Sequence, residues 1–243
     1  MFIIGSSVKR PYGESRKNRP AGRREVSTRM ALGVREHVAD SSRIDILRAA
    51  ASCFMERGYT ATSIDDVARR LGATKGRIYH HFPSKADLFA EVFRHGMDMN
   101  FEALAPYRGM AGPAVVRWRR MAKAHVLQMI DTKPFQRAVW LGVEMHLRGA
   151  TTPEQRTVFN ELVAYRDRYG AQFRETLLQG RDEGVFRFDS PSIASQLMFM
   201  TLNSPIFWYS PRTGETRADI EAIADQVVDY AQGGLCKEQG TLK

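Results

Sequence analysis

The sequence predicts an all-α fold, with a three-helix head followed by a larger helical body. Along most of the chain, apolar residues recur at the i, i+3, i+4 and i+7 spacing that places one apolar stripe on a helix. The periodic segments are separated by serine or threonine caps, glycines and prolines, which start and end helices. We therefore expect the head over residues 42–88, the body over 89–234 and a tail over 235–243.

Residues 1–41 are expected to form a basic arm that is disordered in isolation. Ten basic and four acidic residues lie up to Arg43, so this end carries +6 of the formal net charge of +9. An arm of this kind can lie along DNA phosphates or enter the minor groove. The alternative is that the native protein starts at Met30 and that the residues before it are not part of it.

The head begins with a helix that ends at Gly58 and continues with a short second helix. The first stripe consists of Ile44, Leu47, Ala51 and Phe54. Ser63 and Asp66 make a capping-box-like start for the second helix, and Gly72 suits a left-handed C-terminal cap. Between them lies the second stripe, which consists of Ile64, Val67, Ala68 and Leu71.

The third helix, predicted from Lys75 to Phe82 with Thr74 as its cap, has little apolar surface. Only Ile78 and Phe82 share an inner face, so most of its other side chains project outward. Pro83 ends it, and Ser84 starts the next helix. Two short helices joined by a glycine-containing turn are typical of a helix-turn-helix.

The pattern FxxxGYxxTSIxxVAxxLGxxxGxIYxHFxxKxxLF, from Phe54 to Phe89, resembles the DNA-binding domain of tetracycline-repressor-type (TetR) transcriptional regulators. The resemblance implies a helix-turn-helix DNA-binding domain followed by a helical ligand-binding and dimerisation domain. It implies that the helix from Lys75 to Phe82 enters the major groove. It also implies that Tyr79 and Lys85 hold phosphates on either side.

The chemistry of these side chains independently favours DNA binding. Lysine and arginine reach guanine acceptors, histidine binds base edges, and backbone N–H groups at the start of a helix face phosphates. His80 and His81 are adjacent and point apart, so they do not suggest a metal site. Each residue taken alone is also compatible with a solvated side chain. The predicted DNA-binding residues are Thr62, Ser63, Thr74, Lys75, Arg77, Tyr79, His80 and Lys85.

The composition agrees with a nucleic-acid partner and argues against several other classes. The sequence pI of about 9.8 favours association with a polyanion. No secretion signal is visible, so a cytoplasmic protein is expected, with Cys53 and Cys236 as free thiols. No apolar run reaches bilayer length, and the richest, Ile193 to Tyr209, is interpreted as a buried helix. No catalytic or cofactor-binding motif occurs, so neither an enzyme nor a cofactor or metal is expected.

The body is predicted to contain five main helices. The first runs from Val115 to Met129, and the second from Phe135 to Leu147. The third is long, starts at Thr152 and Pro153, and ends near Gly180 or Gly184. The last two carry the stripes Ile193 to Asn203 and Ile220 to Ala231. In TetR regulators two C-terminal helices usually form a four-helix bundle across a dimer axis, so these two are our candidates. A homodimer requires a palindromic operator, with half-sites about one helical turn apart.

A second, weaker resemblance concerns the ligand. The segments Tyr165 to Arg187 and Leu202 to Glu215 look like the TetR subgroup that senses acyl-CoA thioesters. Large apolar side chains would hold the acyl group, although they are equally compatible with core packing. Arginines would hold the phosphates, although they are also compatible with a solvated helix face. The predicted ligand-binding residues are Trp118, Met121, His125, Met129, Trp140, Phe159, Tyr165, Arg166, Tyr169 and Arg174.

The predicted function is a repressor that a small hydrophobic effector releases from DNA, although a corepressor response is an open alternative. A multidrug sensor for an efflux pump is the nearest competitor. It needs acidic residues in an aromatic pocket, and on the middle helices only Asp131, Glu144 and Glu161 are available. A ligand-independent DNA-binding protein is the third possibility.

Overall fold

The computed structural model describes residues 22–148 and 152–236, with side chains for 41–147, 152–153 and 156–236. These residues form helices and connecting turns without strands, which confirms the predicted all-α fold. The helices are α1 (Gly22–Ala61), α2 (Ile64–Leu71), α3 (Lys75–His81), α4 (Lys85–Leu104), α5 (Ala114–Asp131), α6 (Lys133–Arg148), α7 (Pro153–Asp182), α8 (Pro191–Asn203), α9 (Pro205–Trp208) and α10 (Arg217–Gly233), with a 3₁₀ turn at Ala105–Tyr107.

Helix α1 starts at Gly22, upstream of the predicted beginning of the head. The part of the predicted arm over residues 1–21 lies outside the described residues. Gly58 adopts φ 75° and ψ 171°, so the regular helix is interrupted at the predicted residue. One further helical turn then leads to Ala61.

The head is held together by apolar side chains from α1, α2 and α3. Val67 of α2 and Ile78 of α3 are both completely buried, and Phe54 of α1 is 1% exposed. Phe82, predicted as the last residue of α3, is buried with an extended backbone, so the helix ends one residue earlier at His81. Gly72 has the left-handed conformation that its place after α2 requires.

Helix α4 belongs to both the head and the body. Its first half buries Leu88, Phe89 and Phe93, and the helix as a whole packs on α5, α6 and α7. A Cβ added at Gly142 of α6 would lie 2.7 Å from the ring of Phe93, so glycine permits this close packing. The predicted boundary at residues 88 and 89 therefore falls inside a continuous helix.

The body packs around α5, which contacts α4, α7, α8 and α10. Trp118 of α5 is fully buried against Phe186, with the ring centroids 5.8 Å apart. Helix α6 is slightly longer than predicted. Helix α7 ends at Asp182, and Gly184 follows with φ 74°. Helix α8 begins at Pro191, with the Ser190 hydroxyl as its cap.

The interpretation of Ile193 to Tyr209 as one buried helix is wrong. Pro205 cannot continue the hydrogen-bond ladder and starts the separate helix α9. Helix α8 also has two apolar faces, since Ala194, Met198 and Leu202 point inward while other side chains remain exposed. The exposed large apolar side chains of α8, α9 and α10 are Ile193, Leu197, Met200, Phe207, Trp208 and Tyr230.

Candidate DNA-binding surface and effector cavity

The start of α2 is organised by a capping box. The Ser63 hydroxyl accepts the backbone N–H of Asp66, and the Asp66 carboxylate accepts the Ser63 N–H at 3.0 Å. Asp66 also accepts hydrogen bonds from Arg57 at 2.8 Å and Arg69 at 3.0 Å. The hydrogen bonds from Ser63, followed by those from the arginines, hold the pKa of Asp66 well below its usual range. The predicted cap is therefore present, and it fixes α2 against the end of α1.

Helix α3 presents polar side chains to solvent. Ile78 is its only buried residue, whereas Lys75, Arg77 and His80 are exposed and Tyr79 is 44% exposed. Lys75 Nζ donates to Asp65 Oδ2 at 3.1 Å, and this hydrogen bond is the main cause that raises the pKa of Lys75. An exposed ion pair of this kind is weak, so Lys75 can exchange Asp65 for a DNA acceptor. Four of the predicted DNA-binding residues thus share one accessible helix surface.

Thr62 is less accessible to DNA than its sequence position suggests, and Thr74 does not form the side-chain cap predicted for it. The Thr62 hydroxyl is buried and donates to Gly58 O at 2.7 Å and Cys53 O at 3.1 Å. Thr74 has the extended backbone of an N-cap residue, but its hydroxyl makes no capping hydrogen bond. It is exposed at the start of α3 and remains accessible to a phosphate.

Lys85 forms hydrogen bonds inside the head, whereas the sequence predicts that it binds a DNA phosphate. Its ammonium donates to Tyr59 O and Thr62 O, each at 3.0 Å, and lies 3.4 Å from Thr60 O. It also lies 4.5 Å from the ring centroid of Tyr59. These carbonyls belong to the end of α1 and the turn after it. Lys85 therefore connects the start of α4 to the end of α1.

A cavity of about 110 Å³ lies in the body between helices α4 to α9. Six of the ten residues predicted to bind a ligand line it: His125, Met129, Trp140, Arg166, Tyr169 and Arg174. Trp118 and Met121 do not line it and belong to the buried core. Tyr165 stacks on Phe101 and donates a hydrogen bond to Asp98. Phe159 lines a separate apolar cavity of about 160 Å³ beside Tyr59.

His125 is the centre of a buried hydrogen-bond network in the cavity wall. Its Nδ1 lies 2.7 Å from the Tyr169 hydroxyl, and its Nε2 lies 2.8 Å from Asn203 Oδ1. Burial lowers the pKa of His125 to about 4, so the ring is neutral at pH 7. Because Asn203 Oδ1 only accepts, Nε2 carries the proton and Tyr169 donates to Nδ1. The network joins α5, α7 and α8.

Asn100, Gln136 and Ser195 also line the cavity, and sequence reasoning did not select them. All three are at most 6% exposed. Asn100 Nδ2 donates to Gln136 Oε1 at 2.9 Å, but Asn100 Oδ1 and Ser195 Oγ have no partner among the described residues. Their only signal in the sequence is a polar residue on an otherwise apolar helix face.

The cavity has a cationic side on α7. Arg174 is exposed and forms no ion pair with a described residue, while Arg166 lies 3.4 Å from its neighbour Asp167. Asp167 is the only acidic residue in the described lining. Among the described residues no group of histidine, cysteine and acidic side chains is arranged to hold a metal ion.

Comparison with known proteins identifies the family. The model of bacterial regulatory proteins of the tetR family matches residues 46–92, and that of the tetracyclin repressor-like C-terminal domain matches residues 111–235. The chain belongs to the TetR family of transcriptional regulators. The helix-turn-helix lies within the first matched region of this TetR-family protein, and the cavity residues of α5 to α9 lie within the second, whereas Met97 and Asn100 fall between the two. It is a DNA-binding regulator, as its family is, and not an enzyme.

Three relatives of this TetR-family chain are informative. The repressor KstR2 of Rhodococcus jostii is 28% identical over 79% of this chain and 90% of its own. The regulator PfmR from Thermus thermophilus is 31% identical with a TM-score of 0.63, over 79% and 99% of the two chains. The structure of AibR in complex with isovaleryl coenzyme A and operator DNA is 25% identical with a TM-score of 0.61, over 78% and 97%.

Over the described residues 22–148 and 152–236, no helix is long and apolar enough to cross a bilayer.

Proposed function

We propose that this protein is an effector-controlled transcriptional repressor that binds a palindromic operator as a homodimer. One observation carries the proposal: α3 buries only Ile78 and exposes Lys75, Arg77, Tyr79 and His80 together. A helix with so little apolar surface contributes almost nothing to the core, and its side chains match the acceptors of the major groove. KstR2, a relative, is a repressor. A regulator of this kind works in the cytoplasm, where the bacterial chromosome is.

The exposed apolar surface of α8, α9 and α10 supports the homodimer. Ile193, Leu197 and Trp208 are 61%, 64% and 51% exposed, and Tyr230 of α10 is 80% exposed. Apolar side chains clustered on adjacent helices favour burial against a second copy. We expect the double variant Leu197→Glu with Tyr230→Glu to be monomeric in analytical ultracentrifugation and to lose operator binding. A folded dimer of this variant would assign dimerisation to another surface.

The cavity supports an effector with an apolar part and an anionic part. The wall combines apolar side chains such as Met129 and Trp140 with the cations of Arg166 and Arg174. In an acyl-CoA thioester, the acyl group would occupy the cavity and the phosphates would meet the arginines through bidentate hydrogen bonds. AibR, a relative of similar fold, binds isovaleryl coenzyme A. An acyl-CoA is therefore our preferred effector.

The size of the cavity limits this effector. A volume of about 110 Å³ is well below the roughly 300–1,000 Å³ of pockets that enclose drug-sized molecules. A short acyl group therefore fits best, and a longer one must displace side chains of the wall. The nucleotide part must remain outside the cavity.

Helix α4 provides the route from effector to DNA. It carries Asn100 in the cavity wall and begins at Lys85, directly after the recognition helix. An effector that binds best when α4 is shifted must weaken operator binding, and the operator must weaken effector binding by the same factor.

A multidrug sensor is less consistent with these observations. Neither Asp131 nor Glu161 lines the cavity: Asp131 pairs with Arg217 at 2.8 Å, and Glu161 lies 3.9 Å from Arg94. Glu144 does not line it either. Two arginines beside a single aspartate repel a cationic drug.

The proposed function is tested with operator DNA from immediately upstream of the protein's own gene. We expect the full-length protein to bind this DNA specifically and short acyl-CoA thioesters to release it, whereas the free acids and cationic dyes do not. Arg166→Gln with Arg174→Gln should weaken the acyl-CoA response without changing operator affinity. Release by dyes alone would favour the multidrug sensor, and an operator complex insensitive to every compound would favour a ligand-independent protein.

A further inference from the structure

A chain of hydrogen bonds between side-chain amides lies in the cavity wall and fixes the orientation of each amide. Gln136 Nε2 lies 2.9 Å from Thr132 Oγ1 and 3.3 Å from Gly96 O. A backbone carbonyl only accepts, and the Thr132 hydroxyl already donates to Gln128 O at 2.7 Å. Thr132 Oγ1 and Gly96 O therefore both accept a hydrogen bond from this Gln136 atom. The atom must be the nitrogen of the side-chain NH₂ group.

The orientation of Asn100 follows from that of Gln136. With its NH₂ group fixed, Gln136 presents Oε1 to Asn100, and an oxygen there requires a donor. The Asn100 atom at 2.9 Å must be Nδ2. Exchanging the oxygen and nitrogen of Asn100 would place two acceptors against each other. The second polar atom of the Asn100 amide is therefore the oxygen Oδ1, which is a hydrogen-bond acceptor.

This acceptor is buried, and no described residue donates to it. Asn100 is 3% exposed and lines the cavity, so a molecule that enters the cavity and displaces the wall slightly can supply the donor for this oxygen. Ser195, 6% exposed on helix α8, adds a second buried oxygen without a partner among the described residues. An effector that displaces water from this wall must replace its hydrogen bonds, or affinity is lost.

From this geometry we infer that the effector carries a hydroxyl group on its hydrocarbon part and donates it to Asn100 Oδ1. The inference rests on the proposed function and narrows its effector class from acyl to hydroxyacyl thioesters. A purely hydrocarbon acyl group would leave Asn100 Oδ1 without a donor, and buried sites that bind a hydroxyl discriminate strongly against analogues lacking it. The Ser195 hydroxyl provides a second polar contact in the same cavity.

Matched pairs of CoA thioesters test the inference by calorimetric titration of the full-length protein without DNA. Each pair compares a straight-chain acyl-CoA of four to eight carbons with its β-hydroxy or ω-hydroxy form. We expect at least one hydroxylated member to bind tenfold or more tightly than its partner. In Asn100→Leu this preference should fall below threefold.

Two further variants keep the test independent of any folding defect. Ser195→Ala removes a hydroxyl that bonds to no described residue, so the fold should be preserved while the hydroxylated ligand binds at least threefold more weakly. Gln196→Ala, which also changes the cavity wall, should leave the preference intact. Thermal unfolding checks the fold of each variant.

Equal binding within every pair overturns the hydroxyl inference, while the acyl-CoA regulator stands. Binding of no member by a protein that still recognises its operator also overturns the inference. Failure of the wild-type protein to bind its operator would instead contradict the proposed function.

Discussion

Replacing Lys85 by methionine separates a structural from a DNA-binding role for this lysine. Methionine keeps the length and apolar stem but removes the ammonium that donates to Tyr59 O and Thr62 O. A hydrogen bond from a charged donor contributes about 1.5–3 kcal/mol, and a cation over an aromatic ring adds roughly 0.5–1 kcal/mol at a partly exposed site. Water can still reach these carbonyls, so we expect a loss of about 2–4 kcal/mol in the free energy of unfolding.

The assay combines urea unfolding with the salt dependence of operator binding. At a slope of about 2 kcal/mol per molar urea, in the middle of the typical range, the loss corresponds to a fall of roughly 1–2 M in the midpoint. The slope of log affinity against log salt should not change. If Lys85 instead binds a phosphate, that slope decreases by about 0.9 for each lost contact and the stability is unaffected.

Lys75→Met is the matched control for Lys85→Met. It makes the same side-chain change on the exposed surface of α3, where Lys75 pairs only weakly with Asp65. We expect its stability to remain within about 0.5 kcal/mol of the wild type, since it changes the surface away from the core. Its operator affinity should fall. Unchanged stability in Lys85→Met with a reduced salt slope would refute the structural role.

Three further predictions concern the recognition helix, the buried histidine and the α4–α6 contact. Arg77→Ala should cost about 1–3 kcal/mol on the operator and relax specificity at one base pair; an equal loss on random DNA would remove its role in base reading. Folding lowers the pKa of His125 to about 4, so this histidine is protonated at a higher pH in the unfolded chain than in the folded protein. Stability should therefore fall as pH decreases from about 6.5 to about 4, by on the order of 2–3 kcal/mol. Urea unfolding across this range should show less of this loss in His125→Gln, and an identical pH profile would contradict the assignment. Gly142→Ala places a methyl group 2.7 Å from the Phe93 ring, and thermal unfolding should show a loss of about 1–3 kcal/mol. An unchanged stability would mean that α4 and α6 can move apart at this contact without cost.

The head was predictable because its signals are local. The capping box of Ser63 and Asp66, the left-handed Gly72 and the single buried residue of α3 are each encoded within a few positions of the sequence. Lys85 was not predictable in the same way. Its acceptors are carbonyls more than twenty positions upstream, and their proximity depends on how α1 ends.

The cavity was only partly predictable because an apolar helix has several buried faces. Trp118 and His125 lie on the same helix and both are buried, yet only His125 lines the cavity. Periodicity identifies a buried stripe but not which neighbour it contacts. Asn100 was missed for a related reason, since the lack of a donor for Oδ1 is evident only once Gln136 and Thr132 are in place.

Helix α8 also has a consequence for engineering this protein as a biosensor. Its inner side carries Ser195 and Asn203 in the cavity wall, while Leu197 on its outer side is exposed at the proposed dimer surface. A library that randomises α8 to obtain a new analyte would alter assembly at the same time, and poor variants would be difficult to diagnose. Randomising the cavity positions of α6, such as Val139 and Val143, changes analyte preference without touching that surface. Helix α6 is therefore the better starting point for redesign.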